Sequence, residues 1–290
     1  MKILLTGKSG QVGYELERSL QGLGEILTVD HHQMDLSDLK RVREVIRSIR
    51  PNLIVNPAAY TAVDMAENDV DLAMRINCDA PRVMAEEIKS IGGAMIHYST
   101  DYVFDGSKDS SYTEEDDTCP VNSYGRSKLA GEQAITETGI PHLILRTSWI
   151  YGNRGKNFLQ TILRLARERD ELRIVGDQHG APTWCRTIAD STAHLLVQAQ
   201  CSRDPIEWFQ SCSGIYHMTA QGQTTWHDFT KAILENLKMD KKINLYQIST
   251  KEYPLPAVRP LNSVMSSNKF MEKFCALPQW RQSLNLCQFQ

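Results

Sequence analysis

Tyr124 and Lys128 are four residues apart in Tyr124-Gly-Arg-Ser-Lys128. On a helix, positions i and i+4 share one face, so the phenol and the ammonium can serve one site. A free phenol titrates at about pH 10, too high for acid–base work at neutrality. A neighbouring cation favours phenolate and would bring the pKa down toward working pH. Further upstream, Thr6-Gly7-Lys8-Ser9-Gly10-Gln11-Val12-Gly13 spaces its glycines G-x-x-G-x-x-G. Residues without a β-carbon let backbone approach a pyrophosphate in a tight strand-to-helix turn, and the helix start offers its free N–H groups to that anion. Asp30 lies 20 residues after Gly10, where a dinucleotide-binding unit places a carboxylate on the adenosine ribose. Ser99-Thr100 supplies hydroxyls that can donate to a substrate carbonyl.

These residues need a scaffold, and the hydrophobic pattern supplies one. Ile3-Leu4-Leu5, Ile26–Val29, Leu53-Ile54-Val55, Met95–Tyr98 and Leu143-Ile144-Leu145 read as five short buried strands. Val12, Leu16 and Leu20 mark one helical face. Ser37 is a candidate cap for a helix carrying Leu39, Val42, Val45, Ile46 and Ile49, closed by Pro51. A long helical stretch is expected from about Asp64 to Ser90. Strands alternating with helices imply an α/β fold with a parallel sheet covered on both faces. The glycine loop then follows the first strand, and Ser99-Thr100 falls at the carboxyl edge of the fourth. Beyond about residue 150, helical stretches near 157–170, 187–199 and 226–238 alternate with turn-rich segments. We expect 1–150 to form a dinucleotide-binding domain and 151–290 a smaller substrate lobe, interleaved with helices that complete the first domain. The acidic cluster Glu114-Glu115-Asp116-Asp117 reads as a solvated loop.

The 290 residues carry 32 Lys and Arg against 35 Asp and Glu, a net charge of −3. That balance argues against a nucleic-acid partner held through phosphate charge. Seven cysteines without CxxC spacing point to reduced thiols rather than a metal finger or a disulfide framework. The short apolar start, Met1 to Leu5, is neither a signal peptide nor a membrane span. A cytoplasmic protein without membrane association is expected.

Together, the glycine loop, Tyr124-x-x-x-Lys128 and the strand-end Ser/Thr resemble the extended short-chain dehydrogenase/reductase superfamily. Five co-linear segments narrow the match to the dTDP-4-dehydrorhamnose reductase family: Asn56–Asp64, His97–Gly106, Leu145–Tyr151, Gly176–Thr183 and Arg259–Ser263. The resemblance implies a Rossmann-type doubly wound parallel sheet with a smaller C-terminal substrate-binding lobe. It implies NADPH or NADH as cofactor and reduction of the C4 ketone of dTDP-4-dehydro-L-rhamnose, the last step toward dTDP-L-rhamnose for surface polysaccharide. Carried over by position, Gly7, Gly10, Gln11, Val12 and Gly13 would hold the pyrophosphate, Asp30 the ribose, and Asp35-Leu36 the adenine. Ala59, Tyr60 and Thr61 would line the cofactor path. Tyr124 would donate the proton, Lys128 would support it and hold the nicotinamide ribose, and Thr100 would tune the transfer and bond the sugar beside Asp101. Trp149 would pack on the deoxysugar, and Asn157 and Arg259 would contact the diphosphate.

Two other readings stay open. One is a sugar-nucleotide epimerase or dehydratase of the same superfamily, although Thr100-Asp101 is followed by Tyr102 and not by the second acid a dehydratase needs. The other is a non-catalytic regulatory subunit like that of methionine adenosyltransferase. Some members of the family form dimers bridged by Mg²⁺ on glutamates. Here Glu15 matches one ligand position, but Arg186 occupies the second and no acid follows Glu272. No metal site and no Mg²⁺-bridged dimer are expected.

Overall fold

The computed structural model describes residues 1–237 and 242–288. The first half builds β1 (Lys2–Leu5), α1 (Gln11–Ser19), β2 (Glu25–Thr28), α2 (Leu39–Ile49), β3 (Leu53–Asn56), α3 (Val70–Met74), α4 (Ala80–Ser90), β4 (Ala94–Thr100), α5 (Ser123–Thr138) and β5 (His142–Thr147). The second half continues with β6 (Ile150–Tyr151), α6 (Phe158–Glu168), β7 (Glu171–Val175), β8 (His179–Gly180), β9 (Thr183–Trp184), α7 (Cys185–Cys201), α8 (Pro205–Ser211), β10 (Gly214–His217), β11 (Thr224–Thr225), α9 (Trp226–Asn236), β12 (Asn244–Ile248), α10 (Asn268–Lys273) and α11 (Trp280–Gln288).

One sheet organises the molecule. Its strands run β10-β5-β4-β3-β1-β2, and every pairing is parallel. The chain moves from β1 to β2 on one side and then to β3 on the other, so the strand order reverses between β1 and β3. Open α/β sheets bind ligands outside the carboxyl ends of their strands at such a reversal. Side chains alternate between two cores, as a pleated strand requires. Ile3, Leu5, Leu53, Val55, Ile96, Leu143 and Leu145 face α1, α7 and the later helices. Leu4, Ile54, Met95 and Ile144 face α2 and α4. β7 and β12 form a separate parallel pair on which α9 packs. No helix among the described residues is long and apolar enough to cross a membrane.

Several expectations are corrected. A sixth strand, β10, was not anticipated from the turn-rich second half; it pairs with β5 and completes the sheet. β2 starts at Glu25, and Val29 lies just past its end. Asp38 rather than Ser37 caps α2, its carboxylate accepting from the Arg41 N–H, because the Ser37 hydroxyl is already bonded to Asp35 at 2.8 Å. The 64–90 stretch is helical as expected, continuously from Val70 to Ser90, but not uniformly α-helical. A 3₁₀ turn (Met65–Glu67), α3 and a π-helical turn (Arg75–Asp79) precede α4. Pro81 in the first turn of α4 has no N–H to give the preceding turn. α9 ends at Asn236, and residue 238 of the expected helix lies outside the described residues. The acidic cluster is tethered rather than simply solvated. Glu114 accepts from the His217 N–H of β10 at 2.7 Å, and Lys108 holds the Asp116 carboxyl down to about 2.

The helix that carries Tyr124 and Lys128 is anchored by charge. Glu132 of α5 and Arg146 of β5 form a two-toothed ion pair at 2.9 and 2.7 Å, with side chains 2% and 3% exposed. Removing one member of a buried pair strands the other charge. Glu132→Gln is therefore expected to lower stability by about 3–5 kcal/mol, read as a lower urea midpoint at an unchanged denaturant slope. A midpoint within experimental error of the native chain would show that the pair does not anchor α5.

Candidate active site

The glycine loop leaves β1 and turns directly into α1. Gly10 occupies the N-cap in extended conformation, no side chain caps the helix, and its first turn holds no acid. Its N–H groups and positive dipole end are thus open to an anion. A β-carbon on Gly13 would sit 2.1 Å from the Gly7 carbonyl oxygen, so only glycine permits this turn. The loop heads a cleft of about 600 Å³ across the carboxyl ends of β1, β3 and β4.

Most of the expected site residues meet there. Gly7, Gly10, Gln11, Val12, Gly13, Asp30, Asp35, Leu36, Ala59 and Thr61 line the cleft, as do Thr100, Asp101, Tyr124, Trp149 and Asn157. Asp30 sits at the rim. Its slight burial raises its pKa, but the Gln33 and His32 amides and Lys8, 3.6 Å away, outweigh this and hold the carboxyl below its usual range. Asp35 is likewise held low by the Ser37 amide and hydroxyl. Asn157 caps α6 and donates to Gln11 Oε1 at 2.8 Å, locking the loop before α6 onto the start of α1.

Three expected residues do not line this cleft. Tyr60 turns its phenol away to Asp69 at 3.0 Å, while its backbone N–H is fixed by Asn77. Arg259 instead lines an adjoining cavity of about 1240 Å³ and is held by Asp64 through two bonds of 2.5 and 2.7 Å. Lys128 lies beneath the cleft, 2% exposed, donating to the Tyr98 carbonyl at 2.6 Å and to His97 Nε2 at 3.1 Å.

That placement reverses an electrostatic expectation. Burial pushes the Tyr124 phenol up to about 12, opposed by a hydrogen bond with Thr100, and Lys128 is not among the groups that shift it. Burial brings the Lys128 ammonium down to about 8, while Glu132 one turn later pulls it back up. The phenol is therefore not lowered toward neutrality by a contacting cation.

The chemistry at the end of β4 is denser than the motif alone suggests. The Thr100 hydroxyl donates to Asp101 at 3.0 Å and accepts from the Tyr102 N–H. Burial raises Asp101 to about 6 against the hydrogen bond from Thr100. Ser99 Oγ, Asp101 Oδ2 and Thr147 Oγ1 are buried without a partner, and all three residues line the cleft. Buried polar atoms in native proteins are usually satisfied, so the unused hydrogen-bonding capacity at this edge of the sheet marks it as a polar site.

Sequence reasoning missed Trp226. Its ring stacks on Trp149 at 3.5 Å between centroids and 5° between planes, and Phe158 packs on it at 4.4 Å. Trp149 has φ of 46°, a left-handed conformation that a bulky residue rarely adopts. A β-carbon on Gly180 would lie 2.3 Å from the Trp149 ring, so that glycine makes room for it. The ring expected to pack on a sugar is thus already covered on one face. Trp226 and Tyr102 line both the cleft and the adjoining cavity, joining the two. No sequence signal marked Trp226, because it begins a helix 77 positions after Trp149 and carries no motif. Among the described residues, no group of three or more His, Cys, Asp or Glu side chains could hold a metal ion.

The arrangement suits a dinucleotide whose diphosphate meets the start of α1, next to a polar ligand reaching Thr100 and Tyr124. Comparison with known proteins agrees with it. The family model described as the RmlD substrate binding domain matches residues 1–289. The chain is 48% identical to a dTDP-4-dehydrorhamnose reductase of Burkholderia thailandensis, over 99% of this chain and 98% of that one. It is similar to the crystal structure of a dTDP-4-dehydrorhamnose reductase from Clostridium acetobutylicum, with a TM-score of 0.91 and 33% identity over 100% of this chain and 99% of that one. It is also similar to a Bacillus anthracis dTDP-4-dehydrorhamnose reductase solved in complex with NADP, with a TM-score of 0.90 and 34% identity over 100% and 99% of the two chains. The chain belongs to the dTDP-4-dehydrorhamnose reductase family.

Proposed function

We propose that this chain reduces the C4 ketone of dTDP-4-dehydro-L-rhamnose to dTDP-L-rhamnose, using NADPH or NADH. The observation that carries the reading is Tyr124 opening, together with Thr100 and Asp101, on the cleft that the glycine loop heads. We assign residues 1–150 mainly to cofactor binding and 151–290 mainly to the substrate, with α7 and β10 returning to complete the first unit. When bound, the reduced nicotinamide supplies the hydride.

The chain's own residues then have separable tasks. The start of α1, with Gly10, Gln11, Val12 and Gly13, holds the diphosphate, and Asp30 accepts from the adenosine ribose. Asp35, Leu36, Ala59 and Thr61 flank the dinucleotide. Thr100 orients the sugar and bonds the phenol of Tyr124, which gives its proton to the oxygen that was the ketone. Lys128 holds the ribose from below. Asp101 presents its unpartnered oxygen to the sugar, and Trp149 with Trp226 walls the deoxysugar. Arg259, at the adjoining cavity, faces the substrate diphosphate, which a guanidinium suits. Mixing protein, reduced cofactor and dTDP-4-dehydro-L-rhamnose should deplete absorbance at 340 nm. A chain that binds NADPH but oxidises none of it with this sugar would instead be a regulatory subunit.

Three outcomes follow from these assignments. Tyr124→Phe should keep the fold and cofactor affinity but lower kcat by about 10²–10⁴-fold, the usual contribution of a general acid; native turnover would remove Tyr124 from the reaction. Both cofactors should be used, because Asp30 favours free ribose hydroxyls while Lys8, His31 and His32 stand close enough to offset a 2′-phosphate. A kcat/KM ratio beyond about a thousandfold, roughly 4 kcal/mol, would contradict that. Finally, Arg186, ion-paired to Asp190 at 3.8 Å, puts a cation where a bridging glutamate would be needed. Light scattering should give the same mass with EDTA and with Mg²⁺, and a dimer that dissociates in EDTA and re-forms with Mg²⁺ would refute this.

A further inference from the structure

His97 is 1% exposed, and a catalytic role for Tyr124 and Lys128 does not by itself explain it. It lies on β4 opposite Asn56 of β3 in the sheet register. Its Nε2 is 3.1 Å from Lys128 Nζ, and its Nδ1 is 3.0 Å from Asn56 Nδ2. Asn56 Oδ1 in turn accepts from the Thr6 hydroxyl at 2.6 Å, just past the end of β1. Thr6 lines the cleft, whereas Asn56, His97 and Lys128 are buried behind it. Four side chains thus form one row across the carboxyl edges of β1, β3 and β4 to α5.

We propose that His97 is a positioning residue for Lys128: its neutral imidazole, protonated on Nδ1, accepts from the ammonium at Nε2 and is itself held in place by Asn56 and Thr6. This rests on the reading that Lys128 serves the cofactor site. An ammonium has three donors and no acceptor, and a neutral imidazole has one N–H and one acceptor nitrogen. The Tyr98 carbonyl takes one Lys128 donor and His97 a second, which fixes the direction of the chain. With Nε2 accepting, the His97 proton sits on Nδ1. The Asn56 carboxamide must then turn its oxygen to His97 and its NH₂ to Thr6 Oγ1. The structure sets the carboxamide the other way round, Nδ2 toward His97 and Oδ1 toward Thr6; its two ends are nearly alike in size, so a half-turn exchanges them without moving the rest of the side chain. The Thr6 hydroxyl proton is then free of Asn56. Burial, and the Lys128 charge beside it, hold His97 well below the usual histidine range, consistent with a neutral ring.

The consequence is geometric. Lys128 has four rotatable side-chain bonds, and without His97 only the Tyr98 carbonyl would hold its tip. A flexible chain fixed at two acceptors presents its remaining N–H in one direction. Because the row ends in strands that also carry the glycine loop and Thr100, the ammonium is registered to both.

The test uses two readouts. In ¹⁵N-histidine NMR of the intact protein, with His97 assigned by its loss in His97→Gln, Nδ1 should be protonated and Nε2 unprotonated across about pH 6 to 8. Lys128→Met should move the Nε2 resonance. A proton on Nε2, or no response to Lys128→Met, overturns the proposal. The second readout compares two substitutions of matched thermal stability. His97→Asn keeps a partner for Asn56 but is too short to reach Lys128, whereas His97→Gln places an oxygen where Nε2 was. His97→Asn should raise the Kd for NADPH or lower kcat by about tenfold, the cost of losing one charged hydrogen bond, and His97→Gln should restore most of it. Equal values for His97→Asn and the native chain overturn the proposal, because filling the core would then be the residue's whole role. NMR and NADPH binding need no sugar. A native chain that fails to reduce the sugar while both give the expected result therefore defeats the proposed reaction and not this inference.

Discussion

A lysine with 2% of its surface exposed has to find its partners inside the protein, and the architecture around α5 follows from that requirement. Little of the lysine reaches the surface, so a carbonyl from β4 and an imidazole from the same strand hold the ammonium. Glu132, one turn further along α5, favours the charge, but Arg146 of β5 already engages both of its oxygens. The helix is thus bound to two adjacent strands through ionic and hydrogen-bonded groups as well as apolar packing. Shifting α5 by one residue would strand Lys128, Glu132 and Arg146 at once. Uncompensated buried charges are costly enough to make such a shift untenable. The same interactions fix Tyr124, at the start of α5, over the end of β4.

The parallel sheet explains why the site is assembled from distant residues. Its strands all point the same way, so the segments leaving β1, β3, β4 and β5 gather at one edge. Gly7, Asn56, Thr100 and Thr147 are scattered in sequence, yet each lies at or just beyond a strand end. The reversal between β1 and β3 opens the gap that the glycine loop heads. β10, donated by the second half of the chain, shields β5 from being an edge strand. Glu114 then tethers the following acidic loop to that outer strand.

Much of this was legible in the sequence, and the misses have physical causes. The glycine loop, the first five strands and the Tyr124–Lys128 helix were readable because local spacing and burial on both faces leave strong patterns. β10 was not: Gly214-Ile215-Tyr216-His217 alternates only partly and sits among polar residues. Asp38 displaced Ser37 as a cap through a neighbouring hydrogen bond that no pattern records. Among the site residues, Tyr60 and Arg259 stand in matching segments but are turned by Asp69 and Asp64, partners chosen by tertiary packing. Trp226 was invisible because its role comes entirely from facing Trp149. His97 sat in the motif that was read, but its partners, Asn56 and Lys128, are brought to it only by strand register and helix docking.

The raised pKa of Tyr124 bears on the direction of the chemistry. Spacing alone suggested a cation that would turn the phenol into phenolate, the form needed to take a proton from an alcohol. In the structure the phenol is half-buried and held up at about 12, so it keeps the protonated form that a phenol ordinarily has at neutral pH. A reductase needs that form, because the oxygen that receives hydride becomes an alkoxide far more basic than any phenolate, and the acid must carry its proton beforehand. Lys128, brought down to about 8 by burial, is not among the groups that shift the phenol. A phenol that keeps its proton at neutral pH, with a lysine held by a carbonyl and an imidazole from below, suits a site that delivers a proton to a newly formed alkoxide.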